Sequence, residues 1–587
     1  MNQARSFNSF SAFLAFLCVI VCSESFSQEG DKVWFDGNAR SLFNRDALGE
    51  FGEEDSLTKR NATDGYNLVD LGVHVNPLED FEIFAQLRVR NTFGGFFGAG
   101  TEVLVRQLRA SGVIDKRVRF NIGDIYLKQT PFTLWNSDEE LSNIQGPFSP
   151  YRDILLYESF YQDNRWRLQG LQSDFSFKFD RFIRSLAVDV FATRPRGSFA
   201  ISNGTYESDR LLCGGSLVSQ FSPSIALEFN YVNVFDIPAT GTTHVSLRNP
   251  VYHSALVRNQ LNKGVRSEQR VEAGYSKRHW LMGLPAQENA TPSYASEGMV
   301  VSFTHSMKTV DSLFAFQVGA RYVDPLFRSA AAQTRRLDFS SQAATAIYPV
   351  YSNDAISREP SAFDLLTDVG RYNQDISSTL MAFNPMYSNV LPFGKATPNR
   401  RGLFADASYN SPDNIFSVSL GVDALQEVIG QGTTERRNFQ RALSRFGLNV
   451  NELTEWQRNV ALTWSGTFEN TSRQGYEYEV VSLSSMRSNL VVEAELIPRL
   501  FMQGSITSIN SIGNEQILER TEFGEIDGYA PIKYDQLDRI YSTGLSYKWK
   551  DNVYANLQYN WWGVNYANET YTDYDFRRLF FVLSVAL

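Results

Sequence analysis

The segment Leu579-Phe580-Phe581-Val582-Leu583-Ser584-Val585-Ala586-Leu587 ends the chain on an apolar strand. An unpaired strand of this kind templates aggregation in a soluble protein. A barrel removes the hazard by pairing its last strand with its first. Upstream, Val553, Ala555, Leu557, Tyr559 and Trp561 oppose Asn556, Gln558 and Asn560. That is an apolar face and a wet face over about ten residues, the length of a tilted strand crossing a bilayer.

The same alternation recurs along the chain. Ile83, Ala85, Leu87 and Val89 oppose Glu82, Phe84, Gln86, Arg88 and Arg90, and Ile225, Leu227, Phe229 and Tyr231 oppose Ala226, Glu228 and Asn230. Phe316, Val318, Ala320 and Tyr322 oppose Gln317, Gly319 and Arg321, and Phe416, Val418, Leu420 and Val422 oppose Ser417, Ser419, Gly421 and Asp423. Turn chemistry at 76–80, 222–224, 411–414, 497–499 and 550–552 joins such segments tightly. Long connections are expected at 129–164, 236–264, 324–400, 426–455 and 511–538, with 324–400 the longest. Short turns alternating with long loops predict an all-β fold: one antiparallel transmembrane β-barrel of about 20 strands, with 16 to 22 in range. Its turns would be periplasmic and its loops extracellular.

Residues 1–27 read as a signal peptide, with Arg5 before an apolar run and small residues near Ser27, leaving 28–587 as a single barrel domain in the outer membrane. Past that leader no apolar span is long enough for a membrane helix, and mean hydropathy is −0.28. Aromatic residues make up 14% of the chain, an excess that interfacial girdles would use. A net charge of −10 excludes a nucleic-acid partner.

The charges on the wet faces predict a lumen lined by Glu82, Arg88, Arg90, Asp189, Glu228, Arg321, Asp423, Glu493 and Glu495, since a charge facing lipid costs about 2 to 4 kcal/mol at the midplane. Residues 434–447 predict a loop helix: Phe439, Ala442, Leu443 and Phe446 fall at i, i+3, i+4 and i+7, beside a stripe of Arg437, Arg441 and Arg445. Folded inward, that stripe would form a cationic constriction.

The histidines His74, His244, His253, His279 and His305 stand at no telling spacing, and no nucleophile elbow, zinc motif or phosphate loop occurs. No enzyme activity, metal or cofactor is expected. Strand-like sequence begins at Val33-Trp34-Phe35, so no plug domain of the kind found in energy-coupled transporters is expected ahead of the barrel.

Ile122-Gly123-Asp124-Ile125-Tyr126 followed by Thr130-Pro131-Phe132-Thr133-Leu134, and Gly319-Ala320-Arg321-Tyr322 running into Phe327-Arg328-Ser329 and Thr334-Arg335-Arg336, resemble the large outer-membrane β-barrel proteins of Bacteroidota. The resemblance is one of style over the mature chain and brings no site residues. Barrels of that sort often end on Phe, whereas this chain ends on Leu587, leaving Phe580 and Phe581 to be recognised during assembly. Two functions follow as expectations. One is a porin-like channel passing small polar solutes by diffusion. The other is a non-conducting barrel serving as scaffold or subunit of an assembly, secretion or adhesion complex. Either would contact outer-membrane lipid and lipopolysaccharide, and the second would need envelope protein partners.

Overall fold

Alternation puts each segment's apolar side chains on one face, but its backbone N–H and C=O groups still need partners, and in hydrocarbon only another strand supplies them. The computed structural model satisfies all segments together in one antiparallel sheet of 22 strands. It describes residues 32–587 except 50–59, 94–99, 138–143, 145, 181, 203, 243–244, 283–292, 340–345, 349–355, 359–360, 455, 478, 521–525 and 568–572. The leader expected at 1–27 lies outside the described residues.

Closure is made at the ends of the chain. Val33–Leu48 pairs with Arg60–Leu78 on one side and with the final strand Tyr574–Ala586 on the other, in a register running from Asn38↔Ala586 to Leu48↔Phe576. The sheet therefore has no open edge. Side chains sort by parity: Leu557 and Tyr559 are exposed, whereas Asn556, Gln558 and Asn560 on the same strand are buried. A closed cylinder with an exposed apolar exterior is stable only in lipid, and the protein is an outer-membrane barrel.

Tight turns at 79–80, 115–117, 223–224, 263–264, 412–415, 498–499 and 551–552 gather at one end, where the first strand begins and the last one stops. The opposite end carries the long connections. Two of those expected are present, 128–165 with helix α1 (Ser149–Glu158) and 324–399 with helix α2 (Ala362–Thr367). Three are strand instead. Residues 236–264 contain the strand Val245–Asn262, 426–455 contain Asn438–Asn449, and 511–520 and 526–538 belong to Leu500–Arg520 and Ile526–Lys550.

The loop helix expected at 434–447 is absent. Asn438–Asn449 is a strand paired on both sides, with Asp423↔Arg441 on one and Arg441↔Glu469 on the other. The positions i and i+4 satisfy a period of two as well as 3.6. Phe439, Arg441, Leu443 and Arg445 share one strand face, and two neighbouring strands supply every backbone partner that a helix would have supplied internally.

Candidate functional site: the loop-filled lumen

The apolar residues of the inner wall find their partners in the two long loops. α1 starts with Pro150 in its first turn, and Tyr151, Ile154 and Leu155, at i, i+3 and i+4, form its buried face. That face packs on the inner side of the closing strands, with Tyr151 and Phe580 ring centroids 3.7 Å apart. α2 is held by a capping box, Ser361 with Asp364. Its Phe363 lies 5.1 Å from Phe576, 6.2 Å from Trp562 and 6.1 Å from Phe148. Loop and wall together make one apolar core that includes Leu42, Leu68, Phe363, Trp562 and Phe576. An interior expected to be hydrophilic throughout is dry where the loops press on the wall.

The rear of α1 is fixed by charge. Arg88 grips Asp70 through Nε and Nη2, both at 2.7 Å, and reaches Glu158 Oε2 through Nη1 at 2.5 Å. Arg40 Nη2 meets the other Glu158 oxygen at 2.5 Å, and Tyr157 Oη donates to Asp70 Oδ2 at 2.5 Å. Burial pushes the Glu158 carboxyl up, but hydrogen bonding and charge from Arg88, then Arg40, outweigh it and hold the group below its ordinary range. Removing one member of such a buried network strands the others, at a cost of about 3 to 5 kcal/mol.

The loop 324–399 is tied down mainly through backbone carbonyls. Arg400 Nε donates to Val390 O at 3.0 Å with its guanidinium 3.5 Å from the Phe439 ring centroid, and Arg335 Nη1 donates to Pro392 O at 2.7 Å. Asn389 donates its backbone N–H to Glu469 Oε2 at 3.0 Å, and its side chain donates to Thr471 at 2.7 Å. Arg487 reaches Tyr387 O.

The residues singled out from the sequence lie on inner strand faces, in separate neighbourhoods. Glu82 bonds His74 Nδ1 at 2.6 Å, and Arg90 lies over the Tyr66 ring at 4.3 Å. Asp189 accepts from Gln172 at 2.7 Å, Glu228 pairs with Arg270, and Arg321 lies 4.8 Å over Phe404. Glu493 accepts from Gln503, while Glu495 sits at the turn end and accepts from the Asn459 and Arg499 amides. The constriction arginines do not converge. Arg437 is buried against Glu427 at 3.4 Å and Glu515 at 3.0 Å, Arg441 pairs with Asp423 at 2.8 Å, and Arg445 is exposed farther toward the turn end. Eight residues of strand separate the outer two by about 26 Å.

Asp70, Tyr157, Glu158, Arg106, Glu427 and Glu515 escaped the sequence reading. For Asp70 the signal was off by one residue: a plain two-residue turn at 79–80 sets it against Val89, and a bulge between Val75 and Leu78 shifts it onto Arg88. Glu158 carried none, because its loop gives no periodicity to fix where it docks. Among the described residues no group of His, Cys, Asp and Glu could hold a metal ion.

No family model matches the chain, and no curated protein matches it. Among solved structures, Acinetobacter baumannii OccAB4 is 10% identical, covers 94% of this chain and 98% of its own, and superposes with a TM-score of 0.29. Pseudomonas aeruginosa OpdQ and OccK8 (OprE) are 9% and 10% identical at the same coverage, each with a TM-score of 0.32. Superpositions this loose carry no argument, and the closed barrel rests on the strand pairing itself.

Proposed function

We propose that the protein is a passive outer-membrane channel for small polar solutes, narrowed by its own inward-folded loops. The supporting observation is the contrast between the two halves of the inner wall. Toward the loop end part of it is covered by the apolar core around α1 and α2. Toward the turn end it carries charged and polar side chains that loops do not cover, among them Asp406 and Arg445. Glu82, Arg88, Arg90, Asp189, Glu228, Arg321, Asp423, Glu493 and Glu495 are the lumen-lining set in this reading, with Arg437 and Arg441 holding wall charges in place rather than forming a ring.

Planar-bilayer recording tests it. The expected wild-type trace is a small single-channel conductance that grows when residues 324–399 are replaced by a short turn. Silence in both proteins would discard the channel. The dry core favours one other reading, a barrel closed at rest whose external loops dock envelope proteins; that reading expects silence from wild type and conductance only from the loop-deleted form.

A further inference from the structure

Near the turn end the inner wall is hollowed by small residues. Lys308, Ala315, Ser408, Ser419 and Arg445 are successive register partners on the adjacent strands Ser293–Thr309, Phe314–Val323, Arg400–Asn410, Phe416–Gln426 and Asn438–Asn449. Two residues toward the loop end, the next row on the same strands runs Ser306, Gln317, Asp406, Gly421 and Leu443. Parity puts both rows inside, because Ser302, Arg321, Phe404 and Asp423 on the same faces are buried, whereas Phe303, Val318, Leu403 and Leu420 on the opposite faces are exposed. Between the long side chains at the two ends of the first row stand only Ala315, Ser408 and Ser419. The hollow they leave has a volume of about 510 Å³ and is bordered by Lys308, Asp406 and Arg445. That is the size of a small-molecule site.

All three charged side chains are exposed to the lumen, and their signs alternate across the hollow, cation, anion, cation. Strand spacing sets the backbones of Lys308 and Arg445 about 19 Å apart, with Asp406 over the middle strand between them. Among the described residues neither Lys308 nor Asp406 has a hydrogen-bond or ion-pair partner. The charged pair nearest to Asp406 in the wall, Asp423 with Arg441, is closed on itself at 2.8 Å. A Cβ at Gly421 would meet Asp406 Oδ1 at 2.6 Å, so the glycine is what lets this carboxylate lie across the neighbouring strand. Arg266 and Glu268, the register partners of Lys308 and Ser306, stand one strand beyond the hollow and add one charge of each sign.

We propose that this hollow is a binding site for a small acid that also carries an amine, of the size of an acidic amino acid or dipeptide. Lys308 and Arg445 donate to anionic groups at the two ends of the solute, and Asp406 accepts from the ammonium between them, each a charge-assisted hydrogen bond. The row Ala315, Ser408 and Ser419 leaves room for the solute's body, with Ser306 and Gln317 beside it. A diamine meets two like charges here, and a plain diacid leaves Asp406 facing carboxylates with no donor, so the alternation of sign discriminates against both. The assignment rests on the reading of the barrel as a channel for small polar solutes and names the class of solute.

The test is equilibrium dialysis of the full-length protein in detergent against radiolabelled glutamate, glutarate, which lacks the amine, and cadaverine, which lacks the acids. Glutamate is expected to bind at least about tenfold more tightly than either, as one charge-assisted hydrogen bond gained or lost does. Asp406→Asn is expected to weaken glutamate by about tenfold while glutarate binds as before or more tightly, because the substitution removes a repulsion that only the diacid feels. Lys308→Gln combined with Arg445→Gln is expected to weaken both acids. The heat-modifiable gel shift shows that each variant is folded. Equal binding of glutamate and glutarate by wild type, no binding of either, or a parallel loss of both in Asp406→Asn would overturn the site. Dialysis needs no conduction, so planar-bilayer recording of small ions on the same proteins separates this failure from failure of the channel.

Discussion

Glu158 is the residue on which the position of α1 turns. It accepts from Arg40 and Arg88 at once, and Arg88 also neutralises the fully buried Asp70. Glu158→Gln removes the charge and keeps the shape, so the expected outcome is a looser α1 and a larger, noisier conductance with the barrel still folded. Acid does the same to wild type. Because the folded carboxyl is held below its unfolded value, its stabilisation is complete above the ordinary glutamate pKa of about 4.3 and is lost as the pH falls through the lower, folded value. The groups facing it, Arg40, Arg88 and Arg106, keep their charge over that range. Conductance measured from neutral pH down to about pH 3 is expected to rise in wild type and to stay flat in Glu158→Gln; a flat wild-type profile would mean that α1 is held without this network.

At the scale of elements, Asn438–Asn449 shows how far a pattern can mislead. Over so short a stretch Phe439, Leu443 and Phe446 fit a helical stripe, and the true alternation is blurred because the inner face is not uniformly polar: Phe439 packs beneath Val390 and Leu391 of the loop 324–399. An inner face that meets water would have read as polar and shown the strand. Register partners give the direct test. Arg441→Glu sets a like charge against Asp423 and is expected to lower the temperature at which the heat-modifiable gel shift occurs, with Asp423→Arg added in the same chain restoring it. A helix there would show no such rescue. The Asp70 and Arg88 pair was closed to the same register reasoning, because a bulge between Val75 and Leu78 shifts it by one residue, whereas the outer-face alternation of the remaining strands was plain because lipid tolerates only apolar side chains there.

For the molecule as a whole, the loops act as an internal core. Replacing 324–399 by a short turn leaves Trp562, Phe576 and Leu366's wall partners facing water, so the shortened barrel is expected to conduct more and to unfold at a lower temperature. Thermal melting followed by loss of β-sheet circular dichroism checks the second half; an unchanged melting temperature would show that the wall needs no loop packing. The final strand is where both faces matter at once, with Phe581 toward lipid and Phe580 buried under Tyr151.

The sequence by itself determined the closed antiparallel barrel, its approximate strand number, and its polarity of short turns and long loops. All of these follow from local rules, since a period of two and the need to pair every amide in lipid act on each strand separately. Tertiary structure alone decided that the lumen wall is dry where the loops press on it and that Arg437, Arg441 and Arg445 stand apart. Those depend on where residues far apart in the chain dock on one another, and loops without periodicity carry no local record of that.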